Sequence, residues 1–274
     1  MGKNRNKHKK SQSKKPLDIV VTTAGRYDLL VKCLESLEKQ TVKTFNILLI
    51  DGNEDLAERN KHRELFEKYN AKLLSVNVGY PKLANTGARM GKAPLILFLS
   101  DDVMLKEDAI GRMLKVMEDE AIGVLGTKLL FPEDSIEAGR PAGKVQHIGL
   151  AMDVEANVIH PLVGWSTEHP KCNVSRQVFG VTGASLLIRR NLFIKIGGFD
   201  TAYGMGTFED VDLCVATRKQ GKMVVINTDI VGYHHVGATV KLKKMGFPLQ
   251  ENRNVFRAKW QSEEAFGFDS WSFY

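Results

Sequence analysis

Acidic residues directly follow apolar runs at two places in the sequence. Asp51 ends the run "FNILLID", and Asp101 and Asp102 follow "LILFLS" as an adjacent pair. Short apolar runs of this kind are typical of strands that are buried on both faces of a sheet. Adjacent carboxylates are costly to bury unless a cation meets them, and Mg²⁺ or Mn²⁺ shared with a phosphate group would do so. A helix or turn cap beside a solvated acid explains the pair equally well at this point.

A second acidic group opens a helical pattern later in the chain. The segment "GTFEDVDLC" places Glu209, Asp210 and Asp212 at the start of a predicted helix. One of these carboxylates could act as a general base that removes a proton from a hydroxyl group. Acids are also common in first helical turns because they complement the helix dipole, and for this segment alone that explanation is the commoner one.

Two histidines end the last predicted strand, in the segment "GYHHVGAT". The ring of His234 or His235 could coordinate a metal or contact a phosphate group, although a lone histidine is more often structural. The stretch "NVGYPKLANTGARMGK" has neither P-loop nor dinucleotide-binding spacing, which disfavours a kinase or a dehydrogenase. Its Arg89 could reach a phosphate group, but an exposed helix face explains this residue as well. No GxSxG or HExxH motif occurs.

Alternating strands and helices are predicted to position the acids. Apolar periodicity predicts strands at 18–24, 45–53, 71–79 and from residue 95, and helices at about 55–69, 81–91 and 107–120. It also predicts a helix after the first strand, with Leu30, Cys33, Leu34 and Leu37 on one apolar face. This order predicts a mostly parallel sheet with helices on both faces over the first 125 or so residues. Ligands bind at the carboxyl ends of such strands. Thr22, Thr23, Asp51 and the Asp101–Asp102 pair would therefore meet in one crevice.

The second half of the chain has a different pattern. Short β-like pieces over 124–165 flank a Pro- and Gly-rich loop at 132–144, which we expect to be mobile. A strand, a helix and a Gly-Gly stop follow over 180–200, then a helix over 209–221 and a strand over 222–235. We predict one catalytic domain over 17–240, whose two halves, 17–125 and 126–240, differ in pattern. A C-terminal extension over 241–274 would pack on this core.

The composition is that of an ordinary soluble globular protein, since 43% of the 274 residues are hydrophobic and 26% are charged. No apolar run reaches the roughly 18 residues that span a bilayer, and the N-terminus lacks the apolar region of a signal peptide. We therefore expect a cytoplasmic protein. Its three cysteines are far apart with no CxxC pair, which argues against a disulfide framework and a zinc site.

The net charge of +7 comes from the first 15 residues, which hold seven Lys and Arg residues and no acid. Removing these seven from the 39 Lys and Arg residues leaves 32, which equals the number of Asp and Glu residues. A segment this polar is predicted to be a disordered basic tail, over 1–16. It could make a weak contact with nucleic acid or with an anionic membrane, peripherally at the inner face, or serve only as a solubilising arm.

The order of these segments resembles that of family 2 glycosyltransferases with the GT-A fold, especially the rhamnosyltransferase-like and O-antigen group. The similar segments are "TTAGR", "LLIDGNED", "NVGYPKLANTGARMGKAPLILFLSDDVML", "VQHIGL", "VTGASLLIRRNLFIKIGGFD", "FEDVDLCVATRKQG" and "GYHHVGAT", and they span about residues 17 to 240. The resemblance implies an α/β fold with a mostly parallel, Rossmann-like central sheet flanked by helices and a smaller β-containing half on the acceptor side. It makes residues 17–125 the nucleotide-binding half and residues 126–240 the acceptor and catalytic half.

The resemblance also assigns roles to individual residues. It implies that Asp51 contacts the nucleotide base, that Asp101 contacts the sugar, and that Asp102 binds the metal. It implies that Asp210 is the catalytic base, with Glu209 beside it, and that the late histidine binds metal or diphosphate, where His234 matches better than His235. The remaining residues implied to bind the nucleotide-sugar are Thr22, Thr23, Ala24, Arg26, Asn85, Arg89 and Gly183.

The activity implied is inverting transfer of a sugar from a UDP-, dTDP- or GDP-linked donor to a hydroxyl group of a glycan, a lipid-linked acceptor or a protein. Mn²⁺ or Mg²⁺ would assist it. The chain departs from the family pattern in three places: "TTAGR" lacks the usual Pro and Asn, Ser100 precedes Asp101–Asp102 where Asp-x-Asp is usual, and Ala216 stands where many members carry Arg.

Two other functions would account for part of the sequence. A nucleotidyltransferase that makes a nucleotide-sugar would share the acids and the metal, but "TTAGRYD" is a poor match to the Gly-rich, basic loop that usually opens such enzymes. A non-catalytic module that binds nucleic acid or membrane through residues 1–15 predicts salt-dependent binding. That second function leaves the ordered acids unexplained.

Overall fold

A computed structural model describes residues 15–135, 140–153, 155–236 and 248–260. Three predicted segments lie wholly or partly outside these described residues. They are residues 1–14 of the disordered tail predicted over 1–16, residues 136–139 of the predicted mobile loop, and residues 237–247 and 261–274 after the last strand. Within the described ranges, no helix is both long enough and apolar enough to cross a membrane.

Twelve strands and eight α-helices make up the described part of the chain. The strands are β1 Leu17–Thr23, β2 Phe45–Asp51, β3 Lys72–Leu73, β4 Leu95–Ser100, β5 Val103–Leu105, β6 Ile122–Leu130, β7 Val145–His147, β8 Ala151–Met152, β9 Val158–Ile159, β10 Arg176–Gln177, β11 Ser185–Arg189 and β12 Met223–His234. The helices are α1 Tyr27–Glu38, α2 Leu56–Lys61, α3 Arg63–Lys68, α4 Tyr80–Met90, α5 Ala109–Val116, α6 Arg190–Ile196, α7 Glu209–Lys219 and α8 Leu249–Trp260.

The central sheet has the strand order β10-β12-β6-β11-β4-β1-β2-β3, with β5 added to β12 and β7 added to β6. Strands β4, β1, β2 and β3 are parallel to one another, and β6 and β12 form a second parallel pair. Between them lies β11, which is antiparallel to both β4 and β6. The predicted mostly parallel sheet is therefore confirmed, and most of its carboxyl ends lie on one edge.

Side chains of the central strands alternate between two hydrophobic layers. Ile19 and Val21 of β1 pack in the layer under α1 and α5, whereas Val20 packs in the layer under α4, α6 and α7. The predicted apolar face of α1 is buried, with Leu30, Cys33, Leu34 and Leu37 all between 0% and 2% exposed. Helices thus cover both faces of the sheet, as the alternation of elements predicts. Truncating one of these leucines to alanine would cost about 2–5 kcal/mol.

The structure shortens two elements that the sequence predicts. The helix expected over 55–69 is divided at His62 into α2 and α3, and the strand expected over 71–79 is only β3, Lys72–Leu73. Residues beyond β3 leave the sheet because Asn77 forms an Asx turn, in which its Oδ1 accepts from the Gly79 amide at 3.1 Å. Gly79 has φ of +81°, so it turns the chain sharply into α4.

Helix α8 packs against the second half of the domain. Its buried Phe256 and Trp260 belong to a hydrophobic cluster with Tyr203, Phe208 and Val211. These three partners flank the start of α7, where the acidic segment "EDVD" lies. The C-terminal helix therefore supports the part of the chain that carries the predicted catalytic acids.

Candidate active site

The predicted acids lie along one edge of the central sheet. Thr22 pairs with Ser100 across β1 and β4, and Thr23 pairs with Asp51 across β1 and β2, so the ends of these strands are level. Asp101 and Asp102 follow Ser100 directly. A parallel sheet thus brings residues from distant parts of the sequence to one crevice, at the carboxyl ends where such sheets bind ligands.

The Asp101–Asp102 pair is buried and incompletely hydrogen-bonded. The two residues are 4% and 6% exposed, and Asp101 Oδ2 and Asp102 Oδ1 have no hydrogen-bond partner. Burial, followed by the charge of Asp102, raises the pKa of Asp101 well above its ordinary value, and hydrogen bonding from Thr23 and the charge of Arg26 oppose this. Orphaned carboxylate oxygens in a buried site are costly unless a cation or a donor reaches them.

His234 supplies a nitrogen beside this pair. Its Nε2 lies 3.4 Å from Asp102 Oδ1, and its Nδ1 lies 3.1 Å from Gln146 Oε1, which orients the ring. The neighbouring His235 contacts Asp102 through its backbone, since its amide donates to the Asp102 carbonyl at 3.0 Å. Of the two histidines, the structure therefore brings the ring of His234 to the acids.

The atoms of these two side chains suit a hard divalent cation whose remaining ligands would be substrate oxygens. Asp102 offers an unpartnered carboxylate oxygen and His234 an imidazole nitrogen. Within the described ranges, no cluster of three or more His, Cys, Asp or Glu side chains is arranged to hold a metal ion. A site with few protein ligands is common for Mg²⁺, which is usually bound by one or two carboxylates together with phosphates and water.

Asp51 is buried beneath the crevice instead of facing it. The residue is 0% exposed, and its Oδ2 accepts from Tyr27 Oη at 3.0 Å and from Arg59 Nε at 2.6 Å. Its Oδ1 accepts from the Asn53 amide at 3.0 Å. The expectation that Asp51 contacts a base directly is therefore at odds with this geometry, because protein donors already occupy both oxygens. In this arrangement Asp51 fixes Tyr27, Arg59 and Asn53 around the strand end.

Asp210 lies in the first turn of α7 with both carboxylate oxygens on backbone donors. Its Oδ2 accepts from the Gly183 amide and its Oδ1 from the Val211 amide, each at 2.8 Å. Burial raises the pKa of Asp210, while these amides lower it. Backbone N–H groups that point at a carboxylate stabilise its charged form. Asp210 is thus a half-buried acid whose ionised form is supported by the protein.

Glu209 has a different environment. It is 6% exposed, and its Oε2 has no hydrogen-bond partner. Burial, followed by the charge of Asp210, raises its pKa well above the ordinary value. Two acids so close together disfavour a double charge. Asp210, whose carboxylate accepts from two backbone amides, is therefore the one that the protein stabilises as an anion, and the buried Glu209 is the one that it keeps neutral.

Gly183 connects the two groups of acids. Its carbonyl accepts from Tyr80 Oη at 2.9 Å, and the next carbonyl, of Ala184, accepts from the Ser100 amide at 2.9 Å. The amide that holds Asp210 is therefore one residue from the chain segment that pairs with Ser100, which precedes Asp101. The metal-binding candidates and the base candidate consequently lie at the same edge of the sheet.

Comparison with known families agrees with this arrangement. The sequence model described as "Glycosyl transferase family 2" matches residues 18–197, which is more than half of the chain. The chain belongs to glycosyl transferase family 2. The family predicted from the sequence is therefore confirmed, and with it a glycosyltransferase enzyme.

Curated relatives of this family 2 chain are much longer proteins. The O-antigen biosynthesis protein RfbC of Myxococcus xanthus is 28% identical over 237 residues, which cover 81% of this chain and 17% of the relative. An uncharacterized glycosyltransferase of Haemophilus influenzae is 25% identical over 201 residues, covering 72% of this chain and 60% of the relative. The chain thus spans less than two thirds of the length of either relative.

Solved glycosyltransferases share the fold. GalNAc-T7, solved with UDP, GalNAc and Mn²⁺, matches with a TM-score of 0.65 at 14% identity, covering 80% of this chain and 42% of the other. The mannosyltransferase PcManGT of Pyrobaculum calidifontis, solved with GDP-Man and Mn²⁺, matches with a TM-score of 0.56 at 14% identity, covering 91% and 70%. The expected GT-A fold, with its mostly parallel central sheet, is therefore confirmed.

The family 2 fold does not bring every predicted residue to the crevice. Ala24 and Arg26 lie between β1 and α1, beside the acids, where the charges of Asp101 and Asp102 act on Arg26. Asn85 instead binds the backbone of Phe199, with its Oδ1 accepting at 3.0 Å and its Nδ2 donating at 2.8 Å. Its amide thus holds in place the loop that follows α6.

Arg89 is at the opposite edge of the sheet, which contradicts its predicted role. It is exposed in the last turn of α4, where its Nη2 donates to Thr86 Oγ1 at 3.1 Å. Gly91, two residues further on, lies against the carboxylate of Asp18 near the start of β1. Helix α4 runs antiparallel to β1, so its last turn lies a whole strand length from the acids at the end of β1.

Several residues of this family 2 site had no clear sequence signal. Tyr80 and Gln146 reach the site from α4 and β7, as described above. His147 is buried in the similar segment "VQHIGL", and its Nε2 accepts from the Thr182 and Gly149 amides, both at 3.3 Å. Burial lowers the pKa of His147 well below its usual range, so the neutral ring accepts these bonds. The resemblance of "VQHIGL" to a segment of the family was the only sequence signal that marked His147.

Proposed function

We propose that the chain transfers a sugar from a nucleoside-diphosphate donor to an acceptor hydroxyl, with inversion at the anomeric carbon and Asp210 as general base. The observation that carries this proposal is the Asp210 carboxylate, which two backbone amides hold at 2.8 Å on the sheet edge that also bears Asp101, Asp102 and His234. A family 2 chain with a base candidate and a cation site at one edge has both groups that this transfer requires.

The donor would lie over the ends of β1 and β4. Thr22, Thr23, Ala24 and Arg26 would line its nucleotide side, and Asp51 would shape that side through the side chains it holds. Asp101 would contact the sugar. Both solved relatives were determined with a nucleotide, as UDP or GDP-Man, and with Mn²⁺, which supports a nucleotide-sugar donor without deciding among UDP-, dTDP- and GDP-linked sugars.

Asp102 and His234 would hold Mn²⁺ or Mg²⁺, because the unpartnered Oδ1 of Asp102 and the Nε2 of His234 lie beside each other in the crevice. When bound, such an ion neutralises charge on the diphosphate leaving group. The Gln146 contact keeps the ring of His234 turned toward Asp102. A partner that fixes ring orientation is usual for a metal-binding histidine.

Asp210 would accept the proton of the acceptor hydroxyl as the hydroxyl oxygen bonds to the anomeric carbon. The bond from that carbon to the diphosphate breaks on the opposite face, and the electron pair leaves with the nucleoside diphosphate. A single displacement of this kind inverts the anomeric configuration. The amides of Gly183 and Val211 prepare the carboxylate for this task, since they favour its charged form before the acceptor arrives.

The acceptor is proposed to be a hydroxyl of a glycan, free or lipid-linked. RfbC, which is named for O-antigen biosynthesis, favours a saccharide over a protein acceptor. We further propose that the reaction takes place in the cytoplasm. The alternative of a nucleotidyltransferase is less favoured, because the family match over 18–197 covers both "TTAGRYD" and the Asp101–Asp102 pair. The alternative of a non-catalytic binding module depends on residues 1–15, which lie outside that match, and it leaves the ordered acids unexplained.

A panel of UDP-, dTDP- and GDP-linked sugars tests the proposal, with release of nucleoside diphosphate and the anomeric configuration of the product as readouts. We expect release with one donor, loss of release with EDTA, and a kcat for Asp210→Asn lower by about 10²–10⁴-fold, the usual contribution of a general base. An unchanged kcat in this variant would remove Asp210 from the base role. A retained anomeric configuration would exclude the single displacement, and pyrophosphate release from a nucleoside triphosphate would favour the nucleotidyltransferase.

A further inference from the structure

The turn before the catalytic acids has an unfavourable backbone. Thr207 and Phe208 have φ of +81° and +69°, and they directly precede Glu209 and Asp210. Residues other than glycine rarely adopt positive φ, and they keep this conformation only where their surroundings enforce it. The turn over 203–208 therefore depends on contacts from outside itself.

One side chain of α8 supplies many of these contacts. Asn252 is 4% exposed, and its Nδ2 lies 3.0 Å from the Tyr203 carbonyl, 2.8 Å from the Gly206 carbonyl and 3.0 Å from the Thr207 carbonyl. The same nitrogen is 3.0 Å from Thr207 Oγ1. A single amide thus gathers backbone acceptors from both ends of the turn.

The opposite side of the turn rests on α4. The Tyr80 amide donates to the Met205 carbonyl at 3.3 Å. A Cβ atom on Gly79 would lie 2.1 Å from the Gly204 carbonyl oxygen, so the two segments touch backbone to backbone. The turn is consequently held between the start of α4, which also binds Gly183 through Tyr80, and the Asn252 amide of α8.

Helix α8 has a second attachment at Asp212 of α7, whose Oδ1 also accepts from Tyr203 Oη at 3.1 Å. Trp260 Nε1 donates to Asp212 Oδ1 at 2.7 Å, and Lys259 Nζ lies 2.9 Å from Asp212 Oδ2. Asp212 belongs to the body of α7. The end of α8 therefore anchors the helix, whereas Asn252 in its first turns acts on the residues that lead into Glu209 and Asp210.

We propose that Asn252 is a positioning residue for glycosyl transfer, which fixes the turn over 203–208 so that α7 presents the Asp210 carboxylate to the acceptor. The inference rests on the proposed function of Asp210. It assigns a role to a helix that lies beyond residues 18–197, the part matched by the family. Small displacements of a catalytic group lower the rate of the chemical step more than they lower binding of the donor.

The test compares Asn252→Asp with Asn254→Asp, which makes the same change at an exposed position of the same helix. The aspartate at 252 keeps the shape but presents oxygens to the turn carbonyls in place of a donor. We expect kcat to fall by at least about tenfold with donor KM changed less than about threefold, because the contacts of Asn252 act on the base and not on the donor. Asn254→Asp should retain both values, and Asn252→Ala should act in the same direction as Asn252→Asp.

Two further measurements separate positioning from general loosening and from failure of the proposed function. Leu37→Ala truncates a fully buried leucine of α1, in the hydrophobic layer on the other face of the sheet from α7, so it should lower the Tm and leave kcat nearly unchanged. Hydrogen exchange of the amides over 203–208 should be faster in Asn252→Asp, whatever reaction the enzyme catalyses. Wild-type kcat or wild-type exchange in Asn252→Asp would overturn the inference, as would an equal loss of kcat in Leu37→Ala. A wild-type protein with no transfer from any nucleotide-sugar would overturn the proposed function instead.

Discussion

Replacing Arg59 by Met tests whether Asp51 organises the nucleotide side of the site. Arg59 and Asp51 form an ion pair at 2.6 Å with side chains only 8% and 0% exposed. Arg59 Nη2 also donates to the carbonyls of Asn53 and Leu74, the latter at 2.7 Å. The methionine keeps most of the apolar stem but leaves the Asp51 carboxylate with Tyr27 Oη and the Asn53 amide as its donors.

The expected loss of stability follows from this geometry. Breaking a buried ion pair by removing one partner costs about 3–5 kcal/mol, because the remaining charge stays buried. With a urea m-value of about 3 kcal/mol/M, suited to a chain of this size, the midpoint of unfolding should fall by about 1–1.7 M. Asp51→Asn combined with Arg59→Met removes both charges, so the double variant should recover a large part of the loss.

Urea unfolding followed by circular dichroism measures these midpoints, and donor KM measures the effect on the site. Arg63→Met is the matched control, since Arg63 pairs with Glu67 at the surface, where both side chains are more than half exposed. It should leave the midpoint unchanged. The argument fails if Arg59→Met lowers stability by less than about 1 kcal/mol, the range of a surface ion pair, or if the double variant is as unstable as the two single losses added together.

Two further predictions concern Glu209 and Arg89. Burial raises the pKa of Glu209 above its unfolded value, so the charged form of Glu209 destabilises the fold at high pH. Glu209→Gln should therefore raise the Tm near pH 7. A pH series of thermal melts should show this gain in Tm shrinking as the pH falls through the folded pKa toward the unfolded pKa. The same variant should keep most of its transferase activity, unlike Asp210→Asn. A loss of activity equal to that of Asp210→Asn would refute the assignment of Asp210 as the charged acid and Glu209 as the neutral one. Arg89→Ala should leave donor KM unchanged in steady-state kinetics, because Arg89 is at the far edge of the sheet, and a clear rise in KM would contradict its placement there.

Alternation of strands and helices was enough to predict the sheet edge on which the acids meet. Asp101 and Asp102 follow a strand with almost no polar residue, and Thr22 and Thr23 end another, so parallel pairing made their proximity a consequence of topology. The alternation of side chains along a β-strand, which has a period of two residues, distinguishes His234 from His235. In β12 the buried positions alternate from Val224 to His234, so the ring of His234 shares the inner face.

Residues that act across the fold could not be predicted in this way. Asn252 contacts groups 45 to 49 residues away along the chain, and Arg59 contacts groups up to 15 residues away. No motif in the sequence marks either residue. Arg89 was misplaced because a helix of 11 residues has two ends about a strand length apart, and the sequence does not state which residues of α4 are near the ligand edge. The direction of the chain decides which end of a helix is near the site. In α4 it is the first residue, Tyr80, that lies at the site.

Unpartnered polar atoms mark the site independently of any motif. Five buried side-chain nitrogen and oxygen atoms in the described ranges have no hydrogen-bond partner, and three of them are carboxylate oxygens of Asp101, Asp102 and Glu209. Other buried acids of the fold, such as Asp18 and Asp212, are satisfied by protein donors. Because leaving a buried polar group unsatisfied costs about 1–3 kcal/mol, a fold that concentrates such groups at the carboxyl edge of its sheet is less stable there than its own packing would allow. Cations, hydroxyls and phosphate-bound water are the partners that would relieve this cost, and they are the groups that a nucleotide-sugar and its acceptor bring.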